Sequence, residues 1–478
     1  MEKLVGRETE IGILKEALTS DNAEMIAVVG RRRIGKTFLI EETYKNELVF
    51  SVTGVQNSPY QEQLGNFIYH LNEYIGSEIP FKTPANWMEA FQFLITYLKT
   101  KVSPEEKKVV FLDELPWLAT RKSGFLRGLS FFWNSWAVKQ NIVVVICGSA
   151  ASWMIQKVVY HRGGLHNRIT RQIFLEAFTL AETEQYLQSR NLHFDRYHIV
   201  QLYMAMGGVP HYLQQIKKGK SATQSINEIC FSKQGILSNE FSKLYPALFT
   251  NADFHIALIR TLAKKRGGMT RQEIVANGEI KEGGQLKKVL EELEQSAFIT
   301  SYLPFGKLKK NKLYRLTDEY SLFYLKFIEK NQYVAADTWN HLSQTQEYKT
   351  WSGYAFENIC LKNFPSIKNA LGISGIYAIP SSFYKRGTAT EKGAQIDLVL
   401  DRKDHTINLF EVKFSNETYA ISKTVFENLS NKISTFRTTT QTKKQLTLIF
   451  ITTFGLVENQ YSSAIVQQSL TLDDLFDA

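Results

Sequence analysis

The sequence predicts an α/β protein of several domains, and four stretches carry that prediction. Near the N-terminus a short apolar run, EMIAVVG (24–30), leads through a glycine-bounded turn into the helix-patterned FLIEETY. KKVVFLDELPWL (107–118) and NIVVVICGSA (141–150) are further apolar runs of strand length. Near the C-terminus GAQIDLVLD and INLFEVKF read as two strands joined by RKDHT. A chain of 478 residues exceeds one ordinary core, so two to four domains are expected.

Composition narrows the class. Hydrophobic residues make up 44% and charged residues 22%, ordinary for a soluble globular protein, and no segment is low in complexity. Lys+Arg outnumber Asp+Glu by 57 to 47, a net +10 that permits nucleic-acid binding without requiring it. The start, MEKLVGRETE, has no apolar signal region, and no apolar run approaches ~18 residues, so a cytoplasmic protein with no membrane partner is expected. Cys147, Cys230 and Cys360 lie far apart among apolar neighbours, as buried thiols do in a reducing compartment. The nine histidines form no HExxH or Cys/His cluster, which argues against a zinc site.

The first strand runs into Gly30-Arg31-Arg32-Arg33-Ile34-Gly35-Lys36-Thr37, which fits GxxxxGK[ST]. Strand, turn and helix form the context in which backbone N–H groups and a helix N-terminus cradle the phosphates of ATP. Lys36 is expected to reach the β- and γ-phosphates and the Thr37 hydroxyl to ligate Mg²⁺. At the end of the second strand, Asp113 is placed to hold Mg²⁺ and Glu114 to orient the attacking water. Ser149, after the third strand, would sit beside the γ-phosphate if that strand neighbours the first. A plain strand-to-loop turn is the equal alternative.

LVGRETEIGIL (4–14), the GRRRIGKT loop, LDELPWL and CGSA together resemble the archaeal-type ATPases, an AAA+-related branch of P-loop NTPases. GGLHNRITRQIFLEAFTL (163–180) and MGGVPHYL (206–213) extend the resemblance. It implies that Gly6 and Arg7 pack near the adenine and that Arg168 is the arginine-finger or sensor candidate, with Arg171 its rival. It also implies that Gly208-Val209-Pro210 belongs to a helical lid in which Pro210 touches the base. A surface arginine and an ordinary helix-stop turn are the plainer alternatives.

Helical periodicity over 180–235 fits that lid. NADFHIALIRTLAKKRGG (251–268), MTRQEIVANG and QLKKVLEELEQSAFI then read as three helices, and TSYLPFGKLKKNKLYRLTD as a hairpin. That is the order of a winged helix-turn-helix. Lys287 and Lys288 are expected on its outer helix face, with Lys307, Lys309, Lys310, Lys312 and Arg315 on the wing, positioned for DNA phosphates. The alternative is a lysine-rich strand that solvates a sheet edge.

EYKTWSGYAFENICLKNF (347–364) reads as a helix carrying Glu357. A turn centred on Asp404 would set Asp397 opposite Glu411, with Lys413 on the face of Glu411. Asp and Glu-x-Lys across a hairpin resemble the PD-(D/E)xK motif of the restriction-endonuclease-like fold, although Ile396 replaces its proline. The resemblance implies Mg²⁺ held by Glu357, Asp397 and Glu411, with Lys413 acting on the attacking water. An edge salt bridge is the alternative.

The predicted fold class is therefore α/β: a P-loop AAA+-like ATPase core (1–180), a helical lid (181–235), a winged helix-turn-helix (236–335) and a restriction-endonuclease-like α/β domain (345–478). The predicted function is an ATP- and Mg²⁺-dependent switch coupled to DNA binding and DNA cleavage. The alternative is a signalling ATPase whose C-terminus binds a protein. Arg168 acting in trans would require a homo-oligomer.

Overall fold

The computed structural model describes residues 3–76, 80–160, 165, 167–278, 280–332, 335, 337–388 and 392–477. Residues 163, 164 and 166 of the segment 163–180 therefore lie outside the described residues. The chain divides into two compact units, Met1–Ala177 and Phe178–Ala478.

The first unit is built on a parallel sheet. Strands β1 (Glu24–Val29), β2 (Leu48–Thr53), β3 (Lys108–Asp113), β4 (Ile142–Gly148) and β5 (Arg171–Phe174) lie in the order β2-β3-β4-β1-β5. All neighbouring pairs are parallel. Every residue of β1 and β4 is buried, as expected of strands covered on both faces. The alternation of side chains along β1 splits the core in two. Met25, Ala27 and Val29 pack with Phe67, Trp87, Phe91 and Phe125 on one face, while Ile26 and Val28 pack with Leu14, Leu39 and Ile40 on the other. Each such buried side chain contributes about 1.5–3 kcal/mol.

The second unit opens with helices Leu180–Ser189, Arg196–Met206, Pro210–Leu213, Ala222–Ile226 and Glu240–Leu248. Helices Ala252–Ala263, Arg271–Asn277 and Gly284–Gln295 follow, and then the antiparallel pair β6 (Ile299–Tyr302) and β7 (Leu313–Leu316). A capping box formed by Thr270 and Glu273 opens the middle helix.

The last part of the unit is a five-stranded sheet. β8 (Ala378–Lys385), β9 (Ala394–Arg402), β10 (Thr406–Lys413), β11 (Gln445–Thr452) and β12 (Gln468–Leu470) lie in the order β12-β11-β10-β9-β8. β8, β9 and β10 are antiparallel, while β10, β11 and β12 run parallel. Helix Lys423–Thr440 covers one face through Leu429 and Phe436. Contacts tie these segments together. Tyr197 stacks on Phe414 with ring centroids 5.2 Å apart, and Lys362 pairs with the buried Glu319 at 2.7 Å. Among the described residues no helix is long and apolar enough to cross a membrane.

Candidate nucleotide site and the C-terminal carboxylates

β1 ends at Val29, paired with Gly148 of β4, so Gly30 and Ser149 leave the sheet side by side. β4 is thus the neighbour of the phosphate-loop strand, the condition under which Ser149 reaches the nucleotide. Gly30 cannot carry a side chain, because a Cβ there would lie 2.4 Å from the Leu175 carbonyl oxygen. The loop then delivers its chain into helix Lys36–Thr43.

The functional groups are held in pairs. Lys36 is buried, and its ammonium donates to the Arg31 carbonyl at 3.0 Å. The Thr37 hydroxyl donates to Asp113 Oδ2 at 2.6 Å, while Asp113 Oδ1 accepts from the Glu114 N–H at 2.8 Å. Glu114 Oε2 accepts from Ser149 twice, from its hydroxyl at 2.8 Å and its N–H at 3.1 Å. Glu114 has φ +46°, a left-handed conformation rare outside glycine and frequent at functional sites. Two strands and one loop therefore gather five named groups at one end of the sheet. A hydroxyl and a carboxylate 2.6 Å apart form the hard-oxygen set that suits Mg²⁺.

The remaining first-unit residues sort by position. Arg7 is buried and donates to the Glu176 carbonyl at 2.7 Å, tying the N-terminal segment to the chain after β5. Arg168 is exposed on the turn before β5. Arg171 pairs with Ile26 early in β1 and forms ion pairs with Glu16 at 2.9 Å and Glu24 at 3.6 Å. Those partners stand at the end of β1 remote from Gly30, and Arg168, three residues before Arg171 on a strand parallel to β1, enters the sheet from that same end. Burial pushes the Cys147 thiol well up, with Asp113 adding to it, so this thiol stays protonated and unreactive.

In the second unit, Gly208 is fixed by a close backbone approach: a Cβ would lie 1.9 Å from the Phe178 carbonyl. Phe178 N–H donates to the Gly208 carbonyl at 2.7 Å, and Pro210 opens helix Pro210–Leu213. The expected outer lysines are there, but paired with acids. Lys287 faces Glu291, Lys288 faces Glu292 and Lys312 faces Glu294, each at 3.6–3.7 Å. Arg315 departs from expectation. It is 4% exposed rather than on the wing surface, and lies 3.9 Å from Glu357. The alternation along β7 turns it inward toward helix Gln346–Lys362, a packing partner the hairpin pattern alone does not reveal.

The β9–β10 ladder has the register of a turn centred on Asp404: Ile407 faces Asp401, and Phe410 faces Leu398. Phe410–Leu398 is the last pair. One step further β9 carries a bulge, with Asp397 and Leu398 opposing the single Ser382 of β8. The carboxylates are also spoken for. Glu411 pairs with Lys413 at 2.8 Å and with Lys432 of helix Lys423–Thr440 at 2.7 Å. Asp397 accepts from Gln395 at 2.8 Å. Burial opposes ionisation of Glu411, but the two lysines outweigh it and hold its carboxyl below the usual range. Burial, and then the charge of Asp397, push Glu357 up to about 8. Among the described residues no three His, Cys, Asp or Glu side chains are gathered closely enough to hold a metal ion. The donor set is right in kind for Mg²⁺, but two ammonium groups already neutralise its central member. Lys432 was not legible in the sequence, since it lies on a helix with no motif spacing to Glu411.

Residues 4–216 match a family model described as an ATPase domain predominantly from Archaea. An uncharacterised protein of Methanocaldococcus jannaschii is 23% identical over 434 residues, covering 90% of this chain and 91% of that one. A Walker-type ATPase of Pyrococcus abyssi has a similar structure, with a TM-score of 0.50 at 16% identity, over 67% of this chain and 96% of its own. The ORC2 protein of Aeropyrum pernix, solved in ADPNP–ADP complexes, matches at a TM-score of 0.42 and 17% identity, over 69% of this chain and 94% of its own. The Pyrococcus likeness is one of fold.

Proposed function

We propose that the chain binds and hydrolyses ATP at Gly30–Thr37 and that the nucleotide state acts on the second unit as a switch for DNA binding. The observation that carries this reading is the 2.6 Å hydrogen bond between Thr37 and Asp113, which brings the phosphate loop and the acidic strand end to one point. Magnesium held by Thr37 and Asp113 would supply charge stabilisation on the β- and γ-phosphates. Lys36 exchanges the Arg31 carbonyl for phosphate oxygens. Glu114 orients and polarises the attacking water, and Ser149 fixes the Glu114 carboxylate in position. Arg168, at the end of the sheet remote from Gly30, is the candidate for charge on the γ-phosphate from a second copy, and Pro210 for contact with the base. Lys36→Ala tests the core of the proposal: turnover should fall at least ~100-fold, and retained hydrolysis contradicts it.

Support for DNA comes from the three helices and hairpin, in winged-helix order, and from the exposed Lys287, Lys288, Lys307 and Lys310. A gel-shift titration should show affinity falling steeply with salt. No shift at low salt rejects DNA as the partner.

A second reading has its own observation. Glu411 is bound by Lys413 and Lys432, which supports a nuclease-like sheet that does not cleave and instead binds a protein. Cleavage through Glu357, Asp397, Glu411 and Lys413 requires those lysines to yield. Mg²⁺-dependent nicking that Glu411→Ala abolishes while ATP turnover persists would favour the cleaving form. No nicking under any nucleotide condition favours the second.

A further inference from the structure

A cavity of about 460 Å³ opens within the second unit beside Glu357 of the carboxylate cluster, and neither the ATP site nor the proposed nuclease chemistry uses it. Its volume suits a small molecule. The walls are apolar, formed by Leu262, Leu316, Leu322 and Leu325. Helix Gln346–Lys362 presents Trp351, Tyr354 and Asn358 to it at helical spacing.

Two polar side chains line it from deep burial. Asn358 and Arg315 are each 4% exposed, and among the described residues neither Asn358 Oδ1 nor Arg315 Nε has a hydrogen-bond partner. Buried polar atoms left unpaired are costly, so this acceptor and donor call for a partner that carries both functions. Lys264, Lys265, Arg266 and Lys326 also line the cavity, with Glu347 as its lining carboxylate. Lys326 pairs with Glu347 and Lys265 with Glu273, while the Arg266 guanidinium lies over the Tyr354 ring. The cavity thus combines excess positive charge, an aromatic surface with a stacked guanidinium, and a buried donor–acceptor pair.

We propose that this cavity binds a small anion with a flat hydrogen-bonding ring, of the nucleoside monophosphate class. The ring edge satisfies Asn358 Oδ1 with a donor and Arg315 Nε with an acceptor, its face lies on the Arg266 guanidinium that covers Tyr354, and the lysines take the phosphate. Inorganic phosphate offers a poor donor for Asn358, and an uncharged nucleoside leaves the cations unused. Monophosphates lack the β- and γ-phosphates that the Gly30–Thr37 loop is built to cradle, so the site is separable from ATP binding. Because Arg315 also approaches Glu357 at 3.9 Å, an occupant would act on the neighbouring carboxylates through one side chain.

Isothermal titration of the full chain with AMP, GMP, CMP and UMP tests this, with inorganic phosphate and adenosine as separate arms. At least one monophosphate should bind with a Kd of order 10 µM and weaken about tenfold in Asn358→Ala. Thr350→Trp, at the exposed rim, should block binding while its melting temperature without ligand stays near that of the unmutated protein. Lys36→Ala should leave the affinity unchanged. Absence of binding by all four monophosphates overturns the proposal, as does binding lost in Lys36→Ala and retained in Thr350→Trp. Phosphate binding as tightly as any monophosphate overturns the role given to the ring.

Discussion

Two acidic clusters in this chain are built from similar side chains and are held in opposite ways. At the end of the parallel sheet, Asp113 and Glu114 rest on the hydroxyls of Thr37 and Ser149, neutral partners that leave both negative charges available. At the end of β10, Glu411 is bracketed by two ammonium groups. The first arrangement can receive a cation without losing an ion pair. The second would have to break one. Motif spacing does not separate the two cases; the partner of each carboxylate does.

The largest effect that could break this contrast is expected at the lysines. Replacing Lys432 with Met strips one charge from a buried carboxylate and should destabilise the second unit by about 3–5 kcal/mol, read as a fall in urea midpoint. Adding Glu411→Gln should recover part of that loss. A Lys432→Met midpoint equal to that of the unmutated protein would show that Glu411 is not neutralised this way.

A smaller, pH-dependent effect belongs to Glu357, whose carboxyl burial and Asp397 push up to about 8. The folded state holds this proton more tightly than the unfolded one. Its contribution to stability is therefore full below about pH 4.5 and is lost as pH rises through about 8. Glu357→Gln should flatten that decline and gain on the order of 2 kcal/mol over the unmutated chain at pH 9. Parallel stability curves for the two proteins across pH 5–9 would contradict it.

The smallest effect separates the two arginines. Arg171 is engaged in partly exposed ion pairs with Glu16 and Glu24, so Arg171→Ala should cost under about 1 kcal/mol and leave ATP turnover within about twofold. A collapse of turnover in that variant would return Arg171 to the nucleotide. Arg168→Ala is the variant expected to slow hydrolysis.

What was legible in the sequence follows the range of the interactions concerned. The phosphate loop is contiguous, and the strands around it are continuous apolar runs, so local pattern specifies both. The register of β9 on β10 follows from a short turn, because a slip would reverse the faces of Leu409 and Val399. Features set by remote packing were not legible. The bulge at Asp397 depends on how β8 meets β9, and the burial of Arg315 depends on helix Gln346–Lys362. Lys432 meets Glu411 only because helix Lys423–Thr440 crosses that sheet face. The pairing of Glu114 with Ser149 required knowing that β4 lies between β3 and β1.

ATP hydrolysis at this site requires Asp113 and Glu114 to be free to serve the nucleotide, and Glu114→Gln tests that most directly. With Mg²⁺ present, ATP affinity and phosphate release should be measured on the same preparation. The variant should bind ATP within a few-fold of the unmutated chain while turnover falls about 10²–10³-fold. Turnover unchanged in Glu114→Gln would contradict the assignment of this site.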